Sequence, residues 1–145
     1  MVQYFTGTTG TIYSYNYAGG THLAGQQYNN CIRTEAGHCS VSYSSTAFSV
    51  SGSAAAAAVG PAACTTDFVT IPFGGSSTAD PTSSGSSFCG QILSHTAAAA
   101  QAAVLTKNQP FLLGVNFDSG EVGPGTTQET GTAGFAITYS QSTTC

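Results

Sequence analysis

The residues with the most chemistry to offer in this 145-residue chain are its five cysteines, Cys31, Cys39, Cys64, Cys89 and Cys145. A thiol can close a disulfide, ligate a metal or attack an electrophile, and spacing decides among these. Structural zinc takes close pairs of Cys or His. Cys31, His38 and Cys39 come nearest, but no second pair follows at finger spacing. Five cysteines in a short Gly/Ser/Thr-rich chain therefore read as a disulfide framework, and disulfides imply an oxidising compartment. Cys64 and Cys89 bracket a segment whose middle, Gly74 to Ser87, is mostly Gly, Ser and Thr with one Pro. A bridge between them would close that loop onto a sheet and remove about 3 kcal/mol of unfolded-state entropy. Cys31-Ile32-Arg33-Thr34-Glu35 and Cys39-Ser40-Val41-Ser42-Tyr43 flank Ala36-Gly37, the pattern of a hairpin with a short Gly-containing loop. In that hairpin Cys31 and Cys39 are expected to face one another within disulfide reach.

The other reactive side chains do not assemble into a catalytic motif. His22, His38 and His95 stand among many serines, yet there is no Gly-x-Ser-x-Gly elbow and no His-Glu-x-x-His. In a chain this rich in serine a chance Ser/His/Asp trio is expected, so no enzyme is predicted.

Charge excludes further classes. Charged residues make up 6% of the chain and the only cations are Arg33 and Lys107, for a net charge of −4. Ordinary soluble domains carry about 25% charged residues. Two cations cannot track a phosphate backbone, so nucleic acid is not expected as a partner. Nor can they build a basic membrane-surface patch. No apolar run is long enough for membrane insertion, while an apolar fraction of 41% is ample for one core. Met1-Val2-Gln3 leads straight into Tyr4-Phe5 without a secretory leader. A neutral polar surface offers little repulsion between copies, which favours self-association or a crowded extracellular setting.

The elements that must carry these residues read as short strands. Asp67, Val69 and Ile71 alternate with Phe68 and Thr70; Phe111, Leu113, Val115 and Phe117 form one apolar face; Phe135, Ile137 and Tyr139 form another. Phe48-Ser49-Val50-Ser51 is a further short strand, and Tyr13, Tyr15 and Tyr17 are expected on one face of a strand running from Gly10. Half of a strand's aromatics belong to the core; the rest could stack on sugar or serve as a protein hot spot. The Ala-rich run after His95 favours a short helix by propensity, against strand-rich surroundings. Many short strands between turn signals make an all-β, two-sheet antiparallel β-sandwich or jelly roll, over residues 1–145 as a single domain.

The order of the motifs is similar to that of a CUB domain. Gly10-Thr11-Ile12-Tyr13-Ser14-Tyr15-Asn16-Tyr17 resembles the family's opening Gly-x-Ile-x-Ser-Pro-x-Tyr, without its Pro. Tyr28-Asn29-Asn30-Cys31 resembles the Tyr-x-Asn-x-x-Cys that follows. Cys64-Thr65-Thr66-Asp67-Phe68 and Phe88-Cys89-Gly90 resemble the next disulfide. Val115-Asn116-Phe117-Asp118-Ser119 and Gly134 to Tyr139 resemble the closing strands. The resemblance implies a Cys64–Cys89 bridge. The extra Cys39 and Cys145 resemble an arthropod-type secreted variant, in which the hairpin carries its own bridge and the last Cys reaches an upstream partner. On that basis Cys145 is expected to be unpaired in this chain, awaiting a Cys at or before Met1, and the chain to be the C-terminal part of a longer secreted protein.

Many members of the family hold calcium through a Glu and two Asp at one edge of the sandwich. Asp67 matches one Asp, and Asp118 with Ser119 lies near the second. The Glu position falls on Ser51, with Glu121 the only nearby acid that could replace it. A hard cation wants six to eight oxygens with carboxylates among them, so weak or no calcium binding is expected and no cofactor is assigned. Asp67 would then accept loop N–H bonds instead. The resemblance implies a secreted, extracellular, non-enzymatic module for binding other proteins or copies of itself. Its rivals are a low-charge structural subunit of a matrix, fibre or cuticle-like material, and a carrier of carbohydrate or an apolar ligand on Tyr13, Tyr15 and Tyr17.

Overall fold

In the computed structural model, residues 2–15, 17, 23–51, 57–76, 85–97, 100–119 and 133–145 are described. Among them ten strands follow one another: β1 (Val2–Phe5), β2 (Thr9–Tyr13), β3 (Gln27–Ile32), β4 (Ser40–Ser49), β5 (Ala57–Val59), β6 (Phe68–Gly74), β7 (Gly85–Gly90), β8 (Val104–Thr106), β9 (Phe111–Asn116) and β10 (Gly134–Ser142). They form a six-stranded sheet in the order β1-β3-β9-β6-β7-β5 and a four-stranded sheet in the order β2-β10-β4-β8. Every pairing is antiparallel except β1 with β3. The chain is the all-β sandwich that the alternation implied, and no α-helix occurs among the described residues. The Ala-rich run, where described, leads into β8 instead.

Period-2 alternation places the core. Phe111, Leu113, Val115, Phe117, Phe135, Ile137 and Tyr139 are all buried, as are Val69 and Ile71 of β6. They meet Ile12, Val41, Tyr43, Phe48 and Phe88 in one cluster between the sheets. Phe135 stacks on Phe48 at 6.5 Å between ring centroids and meets Phe117 edge-on at 6.3 Å. Gly10 sits opposite Tyr139, and its lack of a side chain admits the Tyr139 ring; a Cβ there would lie 2.7 Å from it. The hydroxyl of Tyr139 then donates to the Thr6 carbonyl at 3.1 Å.

The cysteine pairing corrects part of the sequence reading. Cys64 and Cys89 are bridged, with Cα atoms 5.7 Å apart. Cys31 and Cys39 are not bridged: Cys39 joins Cys145, Cα atoms 5.9 Å apart, and Cys31 is the free thiol. The expected hairpin does not form. Cys31 belongs to β3, between β1 and β9 in the six-stranded sheet, whereas Cys39 leads into β4 of the other sheet. The segment after Cys31 crosses from one sheet to the other instead of folding back. β4 pairs with β10 in a register that sets Ser40 opposite Ser142. That register, with the Cys39 N–H donating to the Ser142 carbonyl at 3.0 Å, brings the C-terminal tail beside Cys39. Cys145 is therefore paired and needs no upstream partner. β4 also runs unbroken from Ser40 to Ser49, joining two segments read as separate strands.

Candidate functional site

Three chain segments meet where the calcium candidates lie: the end of β4 with Val50 and Ser51, the residue before β6, and the end of β9. The Val50 N–H donates to the Gly90 carbonyl at 3.0 Å, and Ser51 bridges Gly90. This fixes buried Ser51 so that its hydroxyl donates to the Asp67 carbonyl at 2.8 Å. Asp67 is itself buried, 1% exposed, and its Oδ1 accepts the Asp118 N–H at 2.7 Å. Asp118 in turn offers its carbonyl to the Gly25 N–H at 2.6 Å. The structure thus brings Ser51, Asp67 and Asp118 together, with Ser119 exposed just beyond. Glu121 and His22 lie outside the described residues.

Among the described residues this corner gathers two acidic residues, Asp67 and Asp118. A hard cation takes six to eight oxygens, with carboxylates supplying charge. Here the Ser51 proton is donated to a carbonyl, and one oxygen of Asp67 accepts a backbone N–H. No group of three His, Cys, Asp or Glu residues suited to a metal occurs among the described residues. In this corner Asp67 ties the end of β9 to the start of β6, the loop-bracing role of a buried carboxylate.

A second polar cluster was not singled out from sequence. Gln141, buried on β10, donates through Nε2 to the carbonyls of Gly7 at 3.0 Å and Arg33 at 2.8 Å, while its Oε1 accepts the Glu35 N–H at 2.9 Å. The Glu35 carboxylate accepts the Gly7 N–H at 2.7 Å and pairs with Arg33 through Nε at 3.0 Å and Nη2 at 3.1 Å. The cluster pins the β1–β2 turn and the crossover after β3 onto the last strand. Only the Arg33-x-Glu35 spacing hinted at it; Gln141 and Gly7 are too remote in sequence. The Gly7 N–H first, and then Arg33, hold the Glu35 carboxyl below the ordinary glutamate value. A carboxyl depressed on folding contributes stability that is present above its unfolded value and lost as pH falls through its folded value. Glu35→Gln is therefore expected to flatten the acid limb of the stability–pH curve below the ordinary glutamate range. Urea unfolding across that range checks it. Arg33 is exposed and Glu35 half-buried, so the effect is small and falls with added salt.

The aromatic candidates separate. β2 ends at Tyr13, so Tyr13, Tyr15 and Tyr17 do not share a strand face. Tyr15 lies in a turn, packs on Tyr28 at 5.0 Å and accepts a hydrogen bond from Gln3 Nε2 at 2.6 Å. Tyr13 is exposed and meets the Tyr17 ring at 5.7 Å. Val2 and Tyr4, on the same face of edge strand β1, are 63% and 66% exposed. The ring of His38 contacts the Ala36 carbonyl at 3.0 Å and that of His95 the Ala103 carbonyl at 3.3 Å, so each serves its own loop.

The fold has solved counterparts. The chain is similar to the CUB1-EGF-CUB2 domains of rat MASP-1, with a TM-score of 0.64 and 18% identity, over 98% of this chain and 43% of that one. The full extracellular region of zebrafish Gpr126/Adgrg6 matches at 0.53 and 21% identity, over 97% of this chain and 14% of that one. The MASP-1 CUB2 domain bound to Ca2+ matches at 0.51 and 20% identity, over 95% and 96% of the two chains. The chain thus spans less than half the length of the first of these structures. No curated protein gives a significant sequence match. The family model described as the animal CUB domain matches residues 2–142, nearly the whole chain, and with the sandwich and the Cys64–Cys89 bridge in place, this chain belongs to the animal CUB domain family.

Proposed function

We propose that this chain is an extracellular, non-enzymatic module that binds other proteins, or further copies of itself, through the free edge of its six-stranded sheet. CUB domains are in general protein-interaction modules. The observation that carries the reading is β1: it ends the sheet, no described strand pairs with its outer edge, and it exposes Val2 and Tyr4. An open edge presents unpaired N–H and C=O groups to an incoming strand, and side chains alternating along it give specificity. Few charges stand in the way, since charged residues are 6% of the chain. Exposed Tyr13, at the end of edge strand β2 and against the half-buried Tyr17 ring, offers a second contact.

The same low charge supports the second reading, a building block of an extracellular material. Light scattering during size-exclusion chromatography at rising concentration tests both. A closed dimer that Val2→Lys with Tyr4→Lys returns to monomer supports strand addition at β1; open-ended growth supports the building block. A monomer at millimolar concentration that retains no partner overturns both. No helix among the described residues is long and apolar enough to cross a membrane.

The proposed binding is independent of calcium, because Ser51 stands where the third carboxylate would be. Calorimetric titration with calcium chloride is expected to show no micromolar site. A micromolar affinity lost on Asp67→Ala would overturn this.

A further inference from the structure

The outer face of the six-stranded sheet carries a feature that the interaction-module reading does not use. Strand registers place Val2, Asn29, Gly114, Thr70 and Ser87 in one row across β1, β3, β9, β6 and β7. Gln27, Asn116 and Phe68 form the next row. Their neighbours along each strand point into the core, so these side chains face outward. Between the rows lies a hollow of about 330 Å³ lined by Val2, Gln27, Tyr28, Asn29, Val115 and Asn116. None of these residues is charged, and three end in a carboxamide.

Residue 114 is glycine, and the Asn29 and Thr70 side chains close over it and leave it buried. A Cβ there would stand 3.2 Å from Asn29 Oδ1 and 3.2 Å from the Thr70 side chain. Asn116 Nδ2 reaches Thr70 Oγ1 at 3.4 Å, which steadies one amide across the row. Val2 forms an apolar wall; Tyr4, opposite Cys31 on the same strand face, lies beyond the hollow on the side away from Gln27.

We propose that this hollow is a binding site for a neutral, hydroxyl-rich ligand, a segment of an uncharged oligosaccharide. Each carboxamide offers two N–H donors and a carbonyl acceptor, and a sugar hydroxyl both donates and accepts. A cluster of three amides can therefore engage adjacent hydroxyls of one ring. The apolar wall suits the C–H face of a sugar ring. The volume falls in the range of small-ligand sites, of order 300–1,000 Å³. Charge selects against the alternatives: an anion finds no cation here, because the hollow contains neither Arg33 nor Lys107, and a cation finds no carboxylate. Strand addition does not occupy this face, since the ladders already use the backbone of β3, β9 and β6. The site is thus separate from the β1 edge bond, although Val2 borders both.

The test is nitrogen-15 NMR of the full chain titrated with β-linked hexasaccharides of glucose, N-acetylglucosamine, xylose and mannose. A heparin-derived hexasaccharide and a neutral hexapeptide serve as comparisons. At least one neutral sugar is expected to shift the side-chain amide signals of Gln27, Asn29 and Asn116 saturably at millimolar concentration. Asn29→Leu with Asn116→Leu, shown to be folded by its backbone spectrum, is expected to weaken that binding about tenfold or more. Asn116→Leu alone serves if the double variant does not fold. The proposal is overturned if no neutral sugar moves these signals, if the heparin fragment or the peptide does so in their place, if the shifts fall on Tyr13 and Tyr17, or if the variant binds unchanged. Association through β1 is read by light scattering, so either result leaves that reading to its own test.

Discussion

Replacing Cys39 and Cys145 together by serine is expected to lower the unfolding free energy by about 4–5 kcal/mol, among the largest losses available in this chain. The two residues are 106 positions apart and their bridge encloses most of the domain. In the chain-entropy account, removing the cross-link frees a very long loop in the unfolded state, and the stabilisation grows with the logarithm of loop length. The Cys64–Cys89 bridge spans 25 positions and is expected to contribute about 3 kcal/mol by the same account. Urea unfolding of wild type and both double-serine variants measures the difference. A Cys39/Cys145 variant as stable as the wild type would show that the tail is not tied to β4. Thiol labelling of the unfolded, unreduced protein supplies an independent check: one label is expected, on Cys31. A label on Cys145 would contradict the pairing.

Phe135→Ala is expected to cost about 3–5 kcal/mol. Phe135 is fully buried and shares ring contacts with Phe48 and Phe117, so it joins both sheets of the sandwich. Its N–H is accepted by Ser14 Oγ at 2.9 Å, so the backbone stays pinned when the ring is removed and the cavity cannot close easily. Phe73, by contrast, is 66% exposed, and Phe73→Ala is expected to change stability by less than about 0.5 kcal/mol. Equal unfolding midpoints for the two variants would place the core elsewhere.

How much was legible depended on how local the information was. The inward faces of β6, β9 and β10 could be read because alternation is a property of neighbouring residues, and one buried face forces it. Cys64–Cys89 was legible through the motifs flanking each cysteine. The hairpin at Cys31 and Cys39 failed for the opposite reason. Ala36-Gly37 is a good turn, and nothing within ten residues reveals that the strands beside it belong to different sheets. The stripe of Tyr13, Tyr15 and Tyr17 failed because β2 stops where β10 stops pairing with it, at Tyr13 opposite Ala136. Beyond that point Tyr15 turns inward to Tyr28.

By itself the sequence determined composition-level and period-level facts: an all-β sandwich of low charge, its core faces and the family resemblance. Tertiary structure decided which strands are neighbours, and with that the Cys39–Cys145 bridge, the free Cys31, the Gln141–Glu35 cluster and the amide-lined hollow. Each of these joins residues from strands far apart in the chain. Their juxtaposition comes from sheet order and register, which hydrogen bonding and burial set for the whole domain at once.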